Sequence, residues 1–499
     1  MVDFKAQAAD LVRNLSGRMS PSSYDTAWMA RIPTESGDGS RWPDLLEWLL
    51  EHQWPDGSWG GTIPYYHDRI ICTLAAIIAL EERAEGWRVH GAIRQGERFI
   101  WQNLHRLRHD PFELVGFELI LPTLLMEALD MRLDVPAHTC GYGEVRLEKL
   151  GLIPPSLMYS PQITTVHSLE FLGKGGDGAK LRKAKAANGS LGNSPAATAY
   201  LLLTAGEDER ALRYLEDVLR CNHRVTYLHP WRMFELTWVL HSLTFCSDSL
   251  LDQLDTRIWS ELQAAFSERG AGLDPSFGIE DGDITSVTAR LLTLGGHAVD
   301  TAALMRFENE KTRTFHTYRY ERNISLGTNV HALEAVDLLT EYPGREEVMD
   351  RVVALLLTRR IFDTYWIDKW HTSPYYATVH VLVGLLRVAP ALLEEYHRTV
   401  DWLVHTQRED GSWGFFDRGT VEETAYVLIA LLHFHRHCQV DRRVLERGAR
   451  YLQWAYLESV VPWPELWIGK DLFIPEDIVQ ATVLSAMILY EETFGWLPG

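Results

Sequence analysis

Apolar residues recur at helical spacing along almost the whole chain, while strings alternating with a period of two are nearly absent. Leu- and Ala-rich segments carry the pattern at residues 70–80 (IICTLAAIIAL), 198–203 (TAYLLL), 286–292 (SVTARLL), 376–386 (YATVHVLVGLL) and 422–432 (EETAYVLIALL). Turn-forming strings precede them. QWPDGSWG at 53–60 returns as QREDGSWG at 407–414, and a weaker copy, NGSLGN, begins at Asn188. GIEDGD from Gly278 and YWIDKWHTS from Tyr365 share the same turn-then-helix order. The gaps between copies are close to one, two or three periods of about 45 residues, the length of one helical hairpin with its loops. Ser194 before Pro195, and Thr420 with Glu423, read as helix starts. In the repeat, Asp-Gly makes the turn and Ser caps the following helix. Trp59 or Trp413 packs across to the neighbouring hairpin, and Gln53 or Gln407 bonds to helix-end groups.

Stacked hairpins either stay open as a solenoid or close into an α/α barrel. Large rings rather than polar residues occupy the repeat loops, which favours closure. The expected fold is therefore all-α, with toroidal (α/α) barrels. The most apolar run, residues 70–80, is far short of the roughly 20 residues needed to cross a membrane. The N-terminal string MVDFKAQAADLVRNL lacks the apolar block of a signal peptide.

Composition narrows the function. The 48 basic and 68 acidic residues give a net charge of −20, which argues against nucleic acid as the main partner. A small anionic ligand held by a few local cations is still compatible. Five dispersed cysteines without a CxxC pair suggest reduced thiols and a cytoplasmic location. The 499 residues alone suggest about three domains. The 18 tryptophans are a large stock of rigid rings.

Three readings are open for the acidic string Glu280-Asp281-Gly282-Asp283-Ile284-Thr285-Ser286. Asp283 or Thr285 caps the next helix. A calcium loop fits poorly, since Thr285 and Ser286 stand where further ligands belong. The third is a Brønsted acid, a carboxyl kept protonated by burial in an apolar cavity. No GxSxG, HExxH, P-loop or DDxxD string is present. Three strings set one cation beside apolar residues: Arg69, Lys369 and Lys470. Each is either a snorkelling surface base or part of one anion site. The rings of WIDKWHTSPYY and GSWGFF either line an apolar channel or pack the core.

These strings together resemble the class II terpene cyclases, and among them the diterpenyl diphosphate cyclases. SYDTAW at 23–28, both QxxDGSWG repeats, GFELILPTLL from Gly116, SPAATAY from Ser194 and the Asp281–Thr285 element belong to the match. GTNVHAL from Gly327, DKWHTSPYY from Asp368, EETAY from Glu422 and LWIGKDLF from Leu466 complete it. The resemblance implies two α barrels: β over residues 1–20 and 230–499, and γ over residues 21–229. It implies that Asp283 protonates the terminal alkene of a prenyl diphosphate whose diphosphate is retained. Ile284 stands where the family's DxDD motif ends in Asp, giving D-G-D-I-T. The implied catalytic group is Asp283, Asp281 as a second carboxyl, Asn329 hydrogen-bonded to the acid, and Thr285. Arg69, Lys369 and Lys470 are implied near the diphosphate, with Mg²⁺ as counterion and Glu118 in its water shell. Trp370, Tyr375, Trp413 and Phe415, with Trp366, Tyr376 and Phe416, form the pool of rings to shelter a carbocation.

The expected reaction is cyclisation of geranylgeranyl diphosphate to a bicyclic halimane, clerodane or labdane diphosphate. Its product would pass to a class I synthase or a phosphatase, and the protein would be a monomer or homodimer. The alternatives are a farnesyl diphosphate cyclase giving a drimenyl diphosphate and, more remotely, a toroidal zinc prenyltransferase or a protein-binding scaffold.

Overall fold

The computed structural model describes residues 3–458 and 463–495. Six helices close a ring, each packed against the next: Arg232–Leu243, Gly282–Leu294, Leu326–Leu338, Pro374–Val388, Val421–His435 and Glu476–Phe494, the last returning to the first. Outer helices such as Arg345–Thr358 and Arg442–Glu458 lie against them. The inner helices are apolar almost all round because both faces are buried, one by the outer layer and one by the barrel axis. The N-terminal helix Phe4–Arg13 packs on Glu476–Phe494, so the two ends of the chain share one barrel.

A second ring is built from Ser23–Ala30, Tyr66–Arg83, Phe117–Asp130, the kinked 3₁₀ segment Thr164–Gly175 and Pro195–Ala205. Two hydrophobic cores follow. One draws on residues from Phe4 to Met19 and from Tyr227 onwards; the other draws on Tyr24 to Val225. The second core also takes in Leu466, Ile468 and Leu472 from a short β-hairpin, Trp467–Ile468 against Leu472–Phe473. That hairpin carries the LWIGKDLF string and runs from the first barrel into the second.

The repeat loops act as locks. Trp59, Trp366 and Trp413 are fully buried, and each donates from Nε1 to the carbonyl ten residues earlier, at 2.6 Å in all three cases. Their backbone N–H groups donate to Thr73, Thr378 and Thr424 on the following inner helix. The Trp413 ring leaves no room for a side chain at Gly448 of the outer helix, where a Cβ would lie 2.8 Å from it. Gln53 and Gln407 donate to Ala92 and Val444 carbonyls of the next outer helix. Gly57 and Gly411 take φ near +90°, the left-handed turn that Asp-Gly supplies. One detail differs from the sequence expectation. Ser58 and Ser412 do not cap the next helix; each donates to Asp56 or Asp410 inside its own turn at 2.6 Å. Ser194 and Thr420 do cap.

Candidate active site

Asp281 ends an extended segment and is the N-cap of Gly282–Leu294: its Oδ1 accepts from the Ile284 N–H at 2.6 Å. The capping role expected of Asp283 or Thr285 thus falls two residues earlier than Asp283. Capping frees Asp283, in the first helical turn, to face an apolar chamber. Trp238, Tyr376, Trp370, Trp467 and Phe473 are among its walls, and Asp281, His167 and Tyr318 are among its few polar groups. Tyr318 donates to Asp281 Oδ2 at 3.0 Å. Burial, reinforced by the neighbouring Asp283, pushes the Asp281 carboxyl up to about 8, against the cap bond that favours its ionised form.

The partner of Asp283 is His331, not Asn329. His331 Nδ1 lies 2.6 Å from Asp283 Oδ1. Burial disfavours the imidazolium, but an ionised Asp283 outweighs burial and raises the His331 pKa, so the two groups compete for one proton. Asn329 is committed elsewhere: it accepts from Phe315 N–H and donates to the Phe315 and Ser325 carbonyls. Two positions apart on a helix is about 200° of rotation, so residues 329 and 331 cannot both face Asp283. The GTNVHAL string pointed to the right helix and the wrong face.

Thr285 is also structural. It accepts from Ala271 N–H and donates to the Ala271 carbonyl; Thr73, Thr378 and Thr424 accept from a loop N–H in the same way.

A second, charged chamber adjoins the first and shares Val115, Thr164, Tyr318, Trp370 and Ile468 with it. Lys149, Arg322 and Lys369 line it, with Glu113, Glu118 and Glu321. Lys369 pairs with Glu321 at 2.6 Å, and Arg322 with Glu113 at 3.1 Å and Glu118 at 3.7 Å. Lys149 donates to the Tyr320 carbonyl, and burial lowers its pKa. Burial likewise raises that of Glu118. Of the three cations expected from sequence, Lys369 alone is here.

Lys470 is fully buried in the hairpin turn, donating to Glu170, Ser194 and the His167 carbonyl. Arg69 donates to Ser58 and lies over the Trp54 ring, locking a repeat loop. Both bases sit among apolar residues because they tie buried structure together. Among the expected rings, Trp370 lines both chambers. Tyr375 instead stacks on Trp402, Trp413 locks its repeat, and Phe415 is half exposed. Neighbouring Tyr376, one helical step from Tyr375, faces the chamber.

Sequence reasoning missed Lys149, Arg322, His331 and His167. His167 comes from the kinked Thr164–Gly175 segment, so it enters the chamber from the opposite barrel to Asp283. Its Nδ1 lies 2.7 Å from the Gly192 carbonyl and so carries the proton. Burial and the Lys470 charge hold the ring neutral, its pKa lowered to about 3. The Nε2 lone pair has no hydrogen-bond partner among the described residues.

Residues 327–465 match the family model described as the squalene-hopene cyclase C-terminal domain. The chain is 33% identical to the type B diterpene cyclase of Mycobacterium tuberculosis, over 96% of this chain and 97% of that protein. The chain belongs to the class II diterpene cyclases. Another such cyclase, the ent-copalyl diphosphate synthase of a Streptomyces species, is 30% identical over 97% of this chain and 95% of its own. The solved ent-copalyl diphosphate synthase of Streptomyces platensis superposes with a TM-score of 0.78 at 28% identity, over 97% and 99% of the two chains. The mostly helical toroid is thus that of a diterpene cyclase, and the prenyltransferase and scaffold readings fall away. No helix among the described residues is long and apolar enough to cross a membrane.

Proposed function

We propose that the protein folds geranylgeranyl diphosphate across the two chambers and cyclises it to a bicyclic diterpenyl diphosphate. The observation that carries this reading is the adjacency of a carboxyl pair in an apolar chamber and a cation-lined chamber next door. The prenyl tail occupies the first and the diphosphate the second, so the ester bond lies away from the acid and is kept.

Asp283 is the acid. Its Oδ1 accepts from His331, and its other oxygen delivers the proton to the terminal alkene. The resulting cation is captured by internal double bonds in two ring closures, under the faces of Trp238, Tyr376 and Trp467. Desolvated ring faces contribute about 2 kcal/mol each to holding a cation, and the apolar wall keeps water away. Asp281, protonated near neutral pH, adds no second charge beside the acid. Among the described residues of the chamber walls His167 Nε2 is the one neutral base, and it removes the final proton, leaving an alkene and imidazolium. Solvent then takes that proton and another reloads Asp283, so the reaction is a net isomerisation.

Lys149, Arg322 and Lys369 hold the diphosphate. Glu113 and Glu118, which line the same chamber, would hold Mg²⁺ through their carboxylate groups. When bound, Mg²⁺ neutralises part of the diphosphate charge. Because the diphosphate is retained, an ionising synthase or a phosphatase must consume the product.

The test is incubation with geranylgeranyl diphosphate and Mg²⁺, dephosphorylation, and identification of the alcohol by mass spectrometry and NMR. A bicyclic diterpene alcohol is expected. Recovery of unchanged geranylgeraniol, with farnesyl diphosphate turned over instead, overturns the assignment.

A further inference from the structure

The Asp283–His331 pair continues inward. His331 Nε2 lies 3.0 Å from Nδ1 of His380, a residue of Pro374–Val388 that lines neither chamber. Behind it the His241 ring, from Arg232–Leu243, stacks on His380 with centroids 5.4 Å apart and planes at 19°. All three rings are buried, and His380 Nε2 and both His241 nitrogens have no hydrogen-bond partner among the described residues.

These contacts restrict where protons can sit. To act as an acid, Asp283 must accept at Oδ1 from a His331 Nδ1–H and carry its own proton on the other oxygen. A neutral imidazole has one N–H, so His331 Nε2 must then be an acceptor. The group placed to donate to it is His380 Nδ1. Nothing rewards a proton on His380 Nε2, since an orphaned buried N–H is worse tolerated than an orphaned acceptor. The charged and titratable groups around His380 are His331, His371, Arg387 and His241, with Tyr376 and Tyr426 packed on its ring. None of them is an anion, and with burial they keep His380 neutral.

We propose that His380 is a positioning residue for the acid: by donating to His331 Nε2 it fixes the Nδ1–H tautomer of His331 and keeps the labile proton on Asp283. Without that donor, His331 is free to take the proton from Asp283 and form an imidazolium–carboxylate pair, which leaves the acid unloaded. The inference rests on the reading of Asp283 as the acid.

His380→Phe removes the donor, whereas His380→Asn restores an N–H near the Nδ1 position. With geranylgeranyl diphosphate as substrate, His380→Phe should lower kcat at least about tenfold. KM should be unchanged, and the basic limb of the kcat–pH profile should move to lower pH. His380→Asn should recover most of the rate and return the limb. A His380→Phe enzyme within about threefold of the parent with an unmoved profile overturns the proposal. So does a folded His380→Asn enzyme no better than His380→Phe, because both would then report packing. Should His380→Phe fail to fold, ring-¹⁵N spectra of the histidine-labelled parent decide. Nδ1–H tautomers at both His331 and His380 support the proposal, and an Nε2–H tautomer at His380 overturns it. Asp283→Asn run alongside separates the two levels: activity retained there removes the acid assignment itself, whatever His380 does.

Discussion

His331 Nδ1 and Asp283 Oδ1 meet at 2.6 Å across two neighbouring inner helices of one barrel. In the proposed reaction Oδ1 accepts from His331 and the other oxygen carries the proton. Asp283→Asn keeps the shape and removes the carboxyl proposed as the acid. Turnover should fall by at least about a thousandfold, the cost of about 4 kcal/mol of lost transition-state stabilisation. An unchanged far-UV circular dichroism spectrum should accompany the loss, measured with product by gas chromatography and mass spectrometry.

Lys149 and Lys470 separate binding from scaffolding. Lys149→Ala or Arg322→Ala should raise KM for geranylgeranyl diphosphate about tenfold or more, each removing a charge-assisted contact, with kcat changed much less. Lys470→Ala should act on the fold, because Glu170 and Asp25 would be left buried beside no cation. Removing one partner of a buried pair costs about 3–5 kcal/mol, which thermal unfolding reads directly.

Asp281 supplies a pH signature. Its folded-state value of about 8 lies above the ordinary 3.8. Between about pH 4 and pH 8 the unfolded chain has released this proton and the folded chain still holds it, so stability falls as pH rises. Above about pH 8 the cost is complete, on the order of a few kcal/mol. Asp281→Asn keeps a good N-cap and removes that cost. It should leave the melting temperature unchanged near pH 4 and raise it progressively towards pH 8.5, compared with the parent at each pH.

His167→Phe removes the neutral base while filling its volume with another apolar ring. The bicyclic cation should then persist longer and lose its proton elsewhere. Total turnover should fall, with the product profile shifting to further-rearranged isomers on gas chromatography. An unchanged single product would remove His167 from the termination step.

Much of the fold was legible because repeats declare themselves in sequence. The Asp-Gly turn, the ring and the following helix each recur at fixed spacing, and a closed ring of hairpins is what such units build. The carboxyl proposed as the acid was easy to single out for a related reason: Asp281, Asp283 and Thr285 lie within one string. Its partners were harder to read. His331 and Asn329 share a string, and helical phase alone decides which faces the carboxyl. Lys149 and Arg322 come from different barrels and carry no motif, so their meeting depends on how the rings dock. Lys470 misled because a cation flanked by apolar residues looks the same whether it awaits an anion or already has one indoors. Tyr375 and Trp413 misled similarly, since the loops that lock the repeats are also rich in rings.

The hairpin at residues 466–473 leaves its own barrel and supplies walls to both chambers through Trp467 and Ile468. Its turn residue Lys470 is anchored on Glu170 and Ser194 of the other barrel. The barrels are therefore poor units of exchange between relatives. A chimera that swaps residues 21–229 without this hairpin would pair a foreign anchorage with a native wall, whereas moving the two together preserves the shape that the folding substrate meets.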